Sequence, residues 1–184
     1  MNKLSSLFKR MYSAKTIQVG ERIPTKVDFM TVDKMPDGTC TRPSVLKAAE
    51  LFAPNKTVVL VSIPGAFTPV CTSKHIPGFI SKATDLRSNG VDTIACTAVN
   101  DAFVLGAWIK ELGGLGSIKV AADGNGEFVN IIGMQQELYE KGLGIRGKRF
   151  AMIVKDGIIK YLGVDGEELQ NSSADAVLNQ LKQK

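Results

Sequence analysis

Residues 58–63, Val58-Val59-Leu60-Val61-Ser62-Ile63, form a short β-branched apolar run, with Lys56 before it and Pro64-Gly65 after it. A run this short and this rich in valine reads as a strand buried on both faces. A strand of that kind needs cover above and below, which commits the chain to a layered sheet protein. The residues that follow supply the cover. Thr68-Pro69 opens a helical stretch through Ile76, Phe79, Ile80 and Leu86, ended by Asn89-Gly90. Residues 91–99 form a second strand. Residues 102–112 form a helix with Phe103, Leu105, Trp108 and Ile109 available for burial, stopped by Gly113-Gly114. A third strand spans 118–122. Residues 150–154 and 158–162 flank Asp156-Gly157, a strong hairpin signal. Ser172 or Ser173 can cap a final helix through Leu181. Alternating strands and helices followed by a hairpin predict an α/β domain with a mixed central sheet. Residues 20–56 are less periodic: 20–24 reads as a loop, Asp37-Gly38 as a turn, and 44–52 as a short helix.

Composition removes several functions. The 184 residues suit one domain with a sizeable core. The net charge of +5 is concentrated in residues 1–20, which hold Lys3, Lys9, Arg10 and Lys15 and no acid. The remainder is close to neutral, so nucleic-acid binding gains no support. No apolar run approaches a membrane span. The three cysteines, Cys40, Cys71 and Cys96, make neither a C-x-x-C pair nor a disulfide framework. With a single histidine, His75, they are too few for a structural zinc site. No metal is expected, and the thiols suit a reducing compartment.

The acid-free start, MNKLSSLFKRMYSA, has the composition of a mitochondrial transit peptide. Arg10-Met11-Tyr12 resembles a matrix-peptidase site. Removal of residues 1–12 would take the formal charge from +5 to +2 and leave a domain of residues 13–184. A cytoplasmic tail is the alternative.

Chemistry concentrates in Pro64-Gly65-Ala66-Phe67-Thr68-Pro69-Val70-Cys71. With Thr68 as N-cap, Pro69 takes the first helical position, where proline is favoured. Cys71 then lies in the first turn, facing unpaired N–H groups and the positive end of the helix dipole. Both favour thiolate over thiol, the nucleophilic form. An inert buried cysteine is the bland alternative. His75, four residues on, shares a helix face with Cys71. A Cys/His hydrolase pair lacks a third group to orient the imidazole, so His75 is expected to be a partly exposed residue at the pocket entrance.

The segment PGAFTPVCTSKHIPGF, 64–79, resembles the active-site motif of peroxiredoxins, P-x-x-x-T/S-x-x-C, in its type-II or peroxiredoxin-five-like form. The similarity continues through 99–104, 107–108, 142–146 and 148–150, and spans about residues 17–181. It implies a thioredoxin-like, three-layer fold and a thiol peroxidase that reduces hydrogen peroxide and alkyl hydroperoxides through a Cys71 sulfenic acid, with no metal or organic cofactor required. By resemblance Cys71 is the peroxidatic cysteine, Thr68 holds sulfur and peroxide, Pro64 shields the pocket, and Arg149 is the distant arginine, ahead of Arg146. Some relatives resolve through a C-terminal cysteine, but Gln170-Asn171-Ser172-Ser173 holds none. Others carry a second cysteine 25 residues after the first, which Cys96 matches. The resemblance leaves open whether Cys96 resolves, with thioredoxin or glutaredoxin opening the disulfide, or whether one cysteine cycles with glutathione or glutaredoxin. Cys96 lies in a core strand, so reaching Cys71 would need local unfolding. Cys40 has no family counterpart and reads as an incidental thiol. A homodimer is implied, with Phe67, Phe103 and Trp108 as contributors, although core packing is the expectation for Trp108. A redox sensor or chaperone oxidised at Cys71 without turnover is the competing function. A disulfide reductase is disfavoured by the missing C-x-x-C.

Overall fold

The structure is a computed structural model that describes residues 15–32 and 42–183. The basic leader, the Asp37-Gly38 turn and Cys40 lie outside the described residues. The elements run β1 (Phe29–Thr31), β2 (Ser44–Leu46), α1 (Ala48–Leu51), β3 (Thr57–Ser62), α2 (Ile76–Ser81), α3 (Ala83–Ser88), β4 (Thr93–Ala98), α4 (Ala102–Glu111), β5 (Lys119–Ala122), α5 (Glu127–Ile131), β6 (Gln135–Leu138), β7 (Gly144–Gly147), β8 (Arg149–Lys155), β9 (Ile158–Asp165) and α6 (Ala174–Lys182).

Seven strands form one sheet in the order β2-β1-β5-β4-β3-β8-β9. The β3–β4 and β4–β5 pairs are parallel, while β8 is antiparallel to β3 and to β9. The mixed sheet expected from the sequence is therefore present. Side-chain alternation along β3 divides the core between its faces. Val59 and Val61 pack with Ile76, Phe79, Leu86, Leu105, Trp108 and Val177, residues of α2, α3, α4 and α6. Val58 and Leu60 pack with Phe29, Leu51, Phe128, Phe150 and Met152, beneath α1 and α5. Helices on both faces make three layers, the thioredoxin-like architecture.

Local chemistry explains the element ends. Asp101 caps α4 by accepting from the Val104 N–H, and Ser173, of the two serines considered, caps α6 by accepting from Ala176. Asp156 and Gly157 both have positive φ, 56° and 73°, the mirror-image turn that suits the β8–β9 hairpin.

Two sequence expectations change. Residues 44–46 are a strand, not helix, because they pair antiparallel with β1. Only Ala48–Leu51 is helical, its first N–H donating to the Asp28 carboxylate 20 residues upstream. The stretch after Thr68 is also not a uniform helix. Helical backbone begins at Pro69, widens into a π turn over Cys71–His75, and breaks again at Lys82. Pro77 accounts for the π turn: it has no N–H for the α ladder, and its ring would clash with the carbonyl four residues back. The wider turn closes instead through the Ile76 N–H to the Cys71 carbonyl.

Candidate active site

β3 ends at Ser62, beside Phe150 of β8. The chain then leaves the sheet through Ile63–Thr68 and begins the helix that carries Cys71. The Ala66 N–H donates to Asn100 Oδ1 at 3.0 Å, and Arg146 Nη1 donates to the Pro64 carbonyl at 3.3 Å. A Cβ on Gly65 would come within 2.8 Å of that arginine nitrogen, so the tip of the Arg146 side chain would have to shift. Phe67 has φ of +61°, a left-handed backbone that is strained for an aromatic residue and turns its ring outward, 54% exposed.

Thr68 holds the N-cap position but does not cap with its side chain. Its hydroxyl donates to the Gly65 carbonyl at 2.8 Å, closing the loop on itself. The backbone carbonyl of Thr68 accepts from the Thr72 N–H. Cys71 follows in the first turn and is fully buried. Thr72 Oγ1 accepts from Trp108 Nε1 at 3.2 Å, which ties the start of the helix to α4.

Arg149, the first residue of β8, reaches the same point from the sheet. Its Nη1 lies 3.2 Å from the Cys71 sulfur, and its Nε donates to the Gly166 carbonyl at 3.4 Å. Arg149 as a whole is only 6% exposed. Arg146 contacts Leu143 and Pro64 carbonyls instead. Cys71 and Arg149 therefore meet beyond the C-terminal end of β3, where ligand sites in α/β folds form, with Pro64 and Thr68 on the loop between that strand and the cysteine.

His75 departs from expectation. It is not at the pocket entrance but completely buried. Its Nε2 lies 2.9 Å from the Ser172 carbonyl and its Nδ1 3.4 Å from Arg149 Nη1. Its pKa falls from the usual 6.5 to about 4, chiefly because burial penalises the imidazolium, with the Arg149 charge acting in the same direction. Sequence reading missed this burial because the two partners lie 97 and 74 residues away. It also missed Ser172, whose carbonyl is presented by a turn wrapped around Asp165. The only nearby signal was Pro77, which produces the π turn carrying His75.

Cys96 sits in the centre of β4, between Val61 of β3 and Val120 of β5, with no exposed surface. Burial first, and the neighbouring Cys71 second, push its thiol pKa up. Trp108 is fully buried, as its packing role required, whereas Phe67 and Phe103 are exposed. No group of three or more His, Cys, Asp or Glu side chains among the described residues is arranged to hold a metal.

A thioredoxin-like sheet that sets a buried cysteine sulfur against a guanidinium, just past a strand end, defines a thiol-based oxidoreductase. The Redoxin family matches residues 18–178. Peroxiredoxin-2E, chloroplastic, of Arabidopsis thaliana is 44% identical over 168 residues, 86% of this chain and 71% of its own length. Peroxiredoxin-2B of the same plant is 43% identical over 155 residues, 81% of this chain and 96% of its own. The crystal structure of reduced Prx3 in complex with H2O2 from Vibrio vulnificus superimposes with a TM-score of 0.81 at 34% identity, covering 91% of this chain and 98% of that one. The chain belongs to the peroxiredoxins, of type-II, peroxiredoxin-five-like character. Its activity is thiol-dependent reduction of peroxides in antioxidant defence.

Proposed function

We propose that Cys71 is the peroxidatic thiol and that hydrogen peroxide and alkyl hydroperoxides are its substrates. The observation that carries this reading is the 3.2 Å approach of Arg149 Nη1 to the Cys71 sulfur. A fixed positive charge beside the sulfur is placed to stabilise the negative charge that develops on a departing oxygen. The Vibrio vulnificus relative holds H2O2, which supports the substrate class.

The thiolate attacks one peroxide oxygen. The O–O bond breaks, its electron pair leaves on the other oxygen, and protonation releases water or an alcohol. Sulfur gains oxygen and becomes a sulfenic acid. Thr68 already donates its hydroxyl proton to Gly65, so its oxygen is left as an acceptor for the peroxide O–H. Pro64, half-buried and fixed through its carbonyl, shields the pocket from water.

For the return step, a thiol condenses with the sulfenic acid, releasing water and leaving a mixed disulfide. A second thiol then frees Cys71. We favour a one-cysteine cycle served by glutathione or glutaredoxin, because Cys96 is locked in the central strand with its thiol pKa raised. The presence of Cys96 and Cys71 in one buried cluster is the observation on the side of an internal disulfide, which thioredoxin would then open. Pairing of two copies through the face bearing Phe67 and Phe103 fits their exposure. The acid-free leader supports import into the mitochondrial matrix, with the cytoplasm as alternative.

Steady-state turnover of hydrogen peroxide with glutathione and glutaredoxin tests the reading. Sustained turnover that Cys71→Ser abolishes is expected. A single oxidation without turnover under any thiol reductant would instead mark a redox sensor or chaperone.

A further inference from the structure

We propose that His75 is a positioning residue for the peroxidase reaction: its ring joins the Arg149 guanidinium to the Ser172 carbonyl and so holds Nη1 against the Cys71 sulfur. The proposal rests on the reading of Cys71 as the nucleophile.

The partners assign the tautomer. A carbonyl oxygen only accepts, so the His75 Nε2 facing Ser172 at 2.9 Å carries the proton. Nδ1 is then an acceptor, and it faces Arg149 Nη1, which only donates, at 3.4 Å. The same nitrogen contacts the sulfur at 3.2 Å. Arg149 is thus gripped at two places by neutral acceptors, Gly166 O at Nε and His75 Nδ1 at Nη1.

The choice of a neutral acceptor matters. Among the described residues no carboxylate pairs with this buried guanidinium. A carboxylate at position 75 would compete with the sulfur for Arg149 and cancel its charge. An uncharged imidazole orients the guanidinium and leaves the full charge for sulfur and leaving oxygen. Burial keeps the ring uncharged at neutral pH: Arg149 on β8 opposes its protonation, and the charge of Asp165 on β9 does not overcome that.

The far end of the relay is anchored. Asp165 accepts from the N–H groups of Gln170, Asn171 and Ser172 and from the Ser172 hydroxyl. Tyr161 donates its hydroxyl to the Asn171 carbonyl at 2.6 Å. The turn that presents Ser172 O is therefore fixed to β9, and His75 transmits that fixity to Arg149. Edge contact with Phe79, at 5.7 Å between ring centres, holds the imidazole plane.

Paired substitutions test the relay. In His75→Gln the amide N–H reaches the Ser172 carbonyl but the acceptor toward Arg149 is lost. In His75→Asn the amide oxygen replaces Nδ1 and the Ser172 link is lost. The readouts are the second-order rate with hydrogen peroxide, the pH profile of Cys71 alkylation by iodoacetamide, and the melting temperature, with Cys71→Ser as control. His75→Gln is expected to react with peroxide about a hundredfold more slowly than the parent. His75→Asn is expected to recover about tenfold of that loss. The alkylation profile should shift in His75→Gln and shift less in His75→Asn. Equal peroxide rates and equal alkylation profiles in the two variants, with Cys71→Ser inactive, would overturn the relay alone. A fully active Cys71→Ser would overturn the reading beneath it. Should His75→Gln not fold, Asp165→Asn loosens the Ser172 turn from outside the pocket. An unslowed peroxide rate there would contradict the relay as well.

Discussion

Arg149 Nη1 and the Cys71 sulfur meet at 3.2 Å across 78 residues of sequence. The contact exists because β8 runs antiparallel beside β3, so the start of one strand lies at the end of the other. Everything the site does chemically depends on that register. Arg149→Gln keeps a donor but removes the charge. It should lower the second-order rate with hydrogen peroxide by about a hundredfold to a thousandfold, measured by stopped-flow oxidation. Arg149→Lys should recover part of the loss, since charge returns without the two-pronged geometry. A Gln variant within a few fold of the parent would contradict the role.

The buried neutral histidine makes stability depend on pH. Between about pH 4 and 6.5 the unfolded chain binds a proton at His75 that the folded chain refuses. Stability is therefore fully present above pH 6.5 and falls as the pH drops toward 4, by up to about 3 kcal/mol from this group. Asp165 adds loss in the same direction at lower pH. Burial alone would raise its pKa, but hydrogen bonds from Ser172, Gln170 and Asn171 outweigh burial and hold it low. Urea unfolding at pH 7 and pH 5 should show the fall in the parent and a smaller one in His75→Asn. Equal falls would contradict it.

Gly163 sits where a Cβ would run into the Asn171 carbonyl. Backbone cannot yield there as a flexible side chain can. Gly163→Ala should cost at least about 2 kcal/mol of stability, read from urea midpoints. The Ser172 turn would shift with it, so the peroxide rate should fall too. An alanine variant of parental stability would show that the approach is looser than the structure has it.

Cys96→Ala should retain peroxide turnover with glutathione and glutaredoxin. Peptide mass spectrometry of oxidised parent protein, run without reductant, should find glutathione on Cys71. A linkage between Cys71 and Cys96, with turnover lost in Cys96→Ala, would establish the internal disulfide instead.

Much of the fold could be read before the structure. Val58–Ile63 announced its burial by composition. Asp156-Gly157 specified its turn by backbone preference, and a serine at 172 or 173 was expected to cap the last helix. The β6–β7 hairpin was not legible: Gln135–Leu138 and Gly144–Gly147 are mostly polar or glycine and show no strand alternation. Helix α1 was expected to start too early, at 44 rather than Ala48, because the carboxylate at its start, Asp28, comes from a different part of the chain. At the site, local spacing identified Cys71 and the resemblance pointed to Arg149. It could not show His75 buried, because that depends on a turn around Asp165 and a guanidinium, both supplied by the C-terminal third. The π turn was signalled by Pro77, whose missing N–H was overlooked.

The central claim is that peroxide oxygen is transferred to the Cys71 sulfur. Treating the reduced protein with one equivalent of hydrogen peroxide in the presence of dimedone, then mapping the adduct by peptide mass spectrometry, addresses it directly. The account predicts stoichiometric peroxide loss and one dimedone adduct, on Cys71, formed far more slowly in Arg149→Gln. Peroxide consumption with Cys71 left as free thiol, or an adduct confined to Cys96 or Cys40, would contradict it.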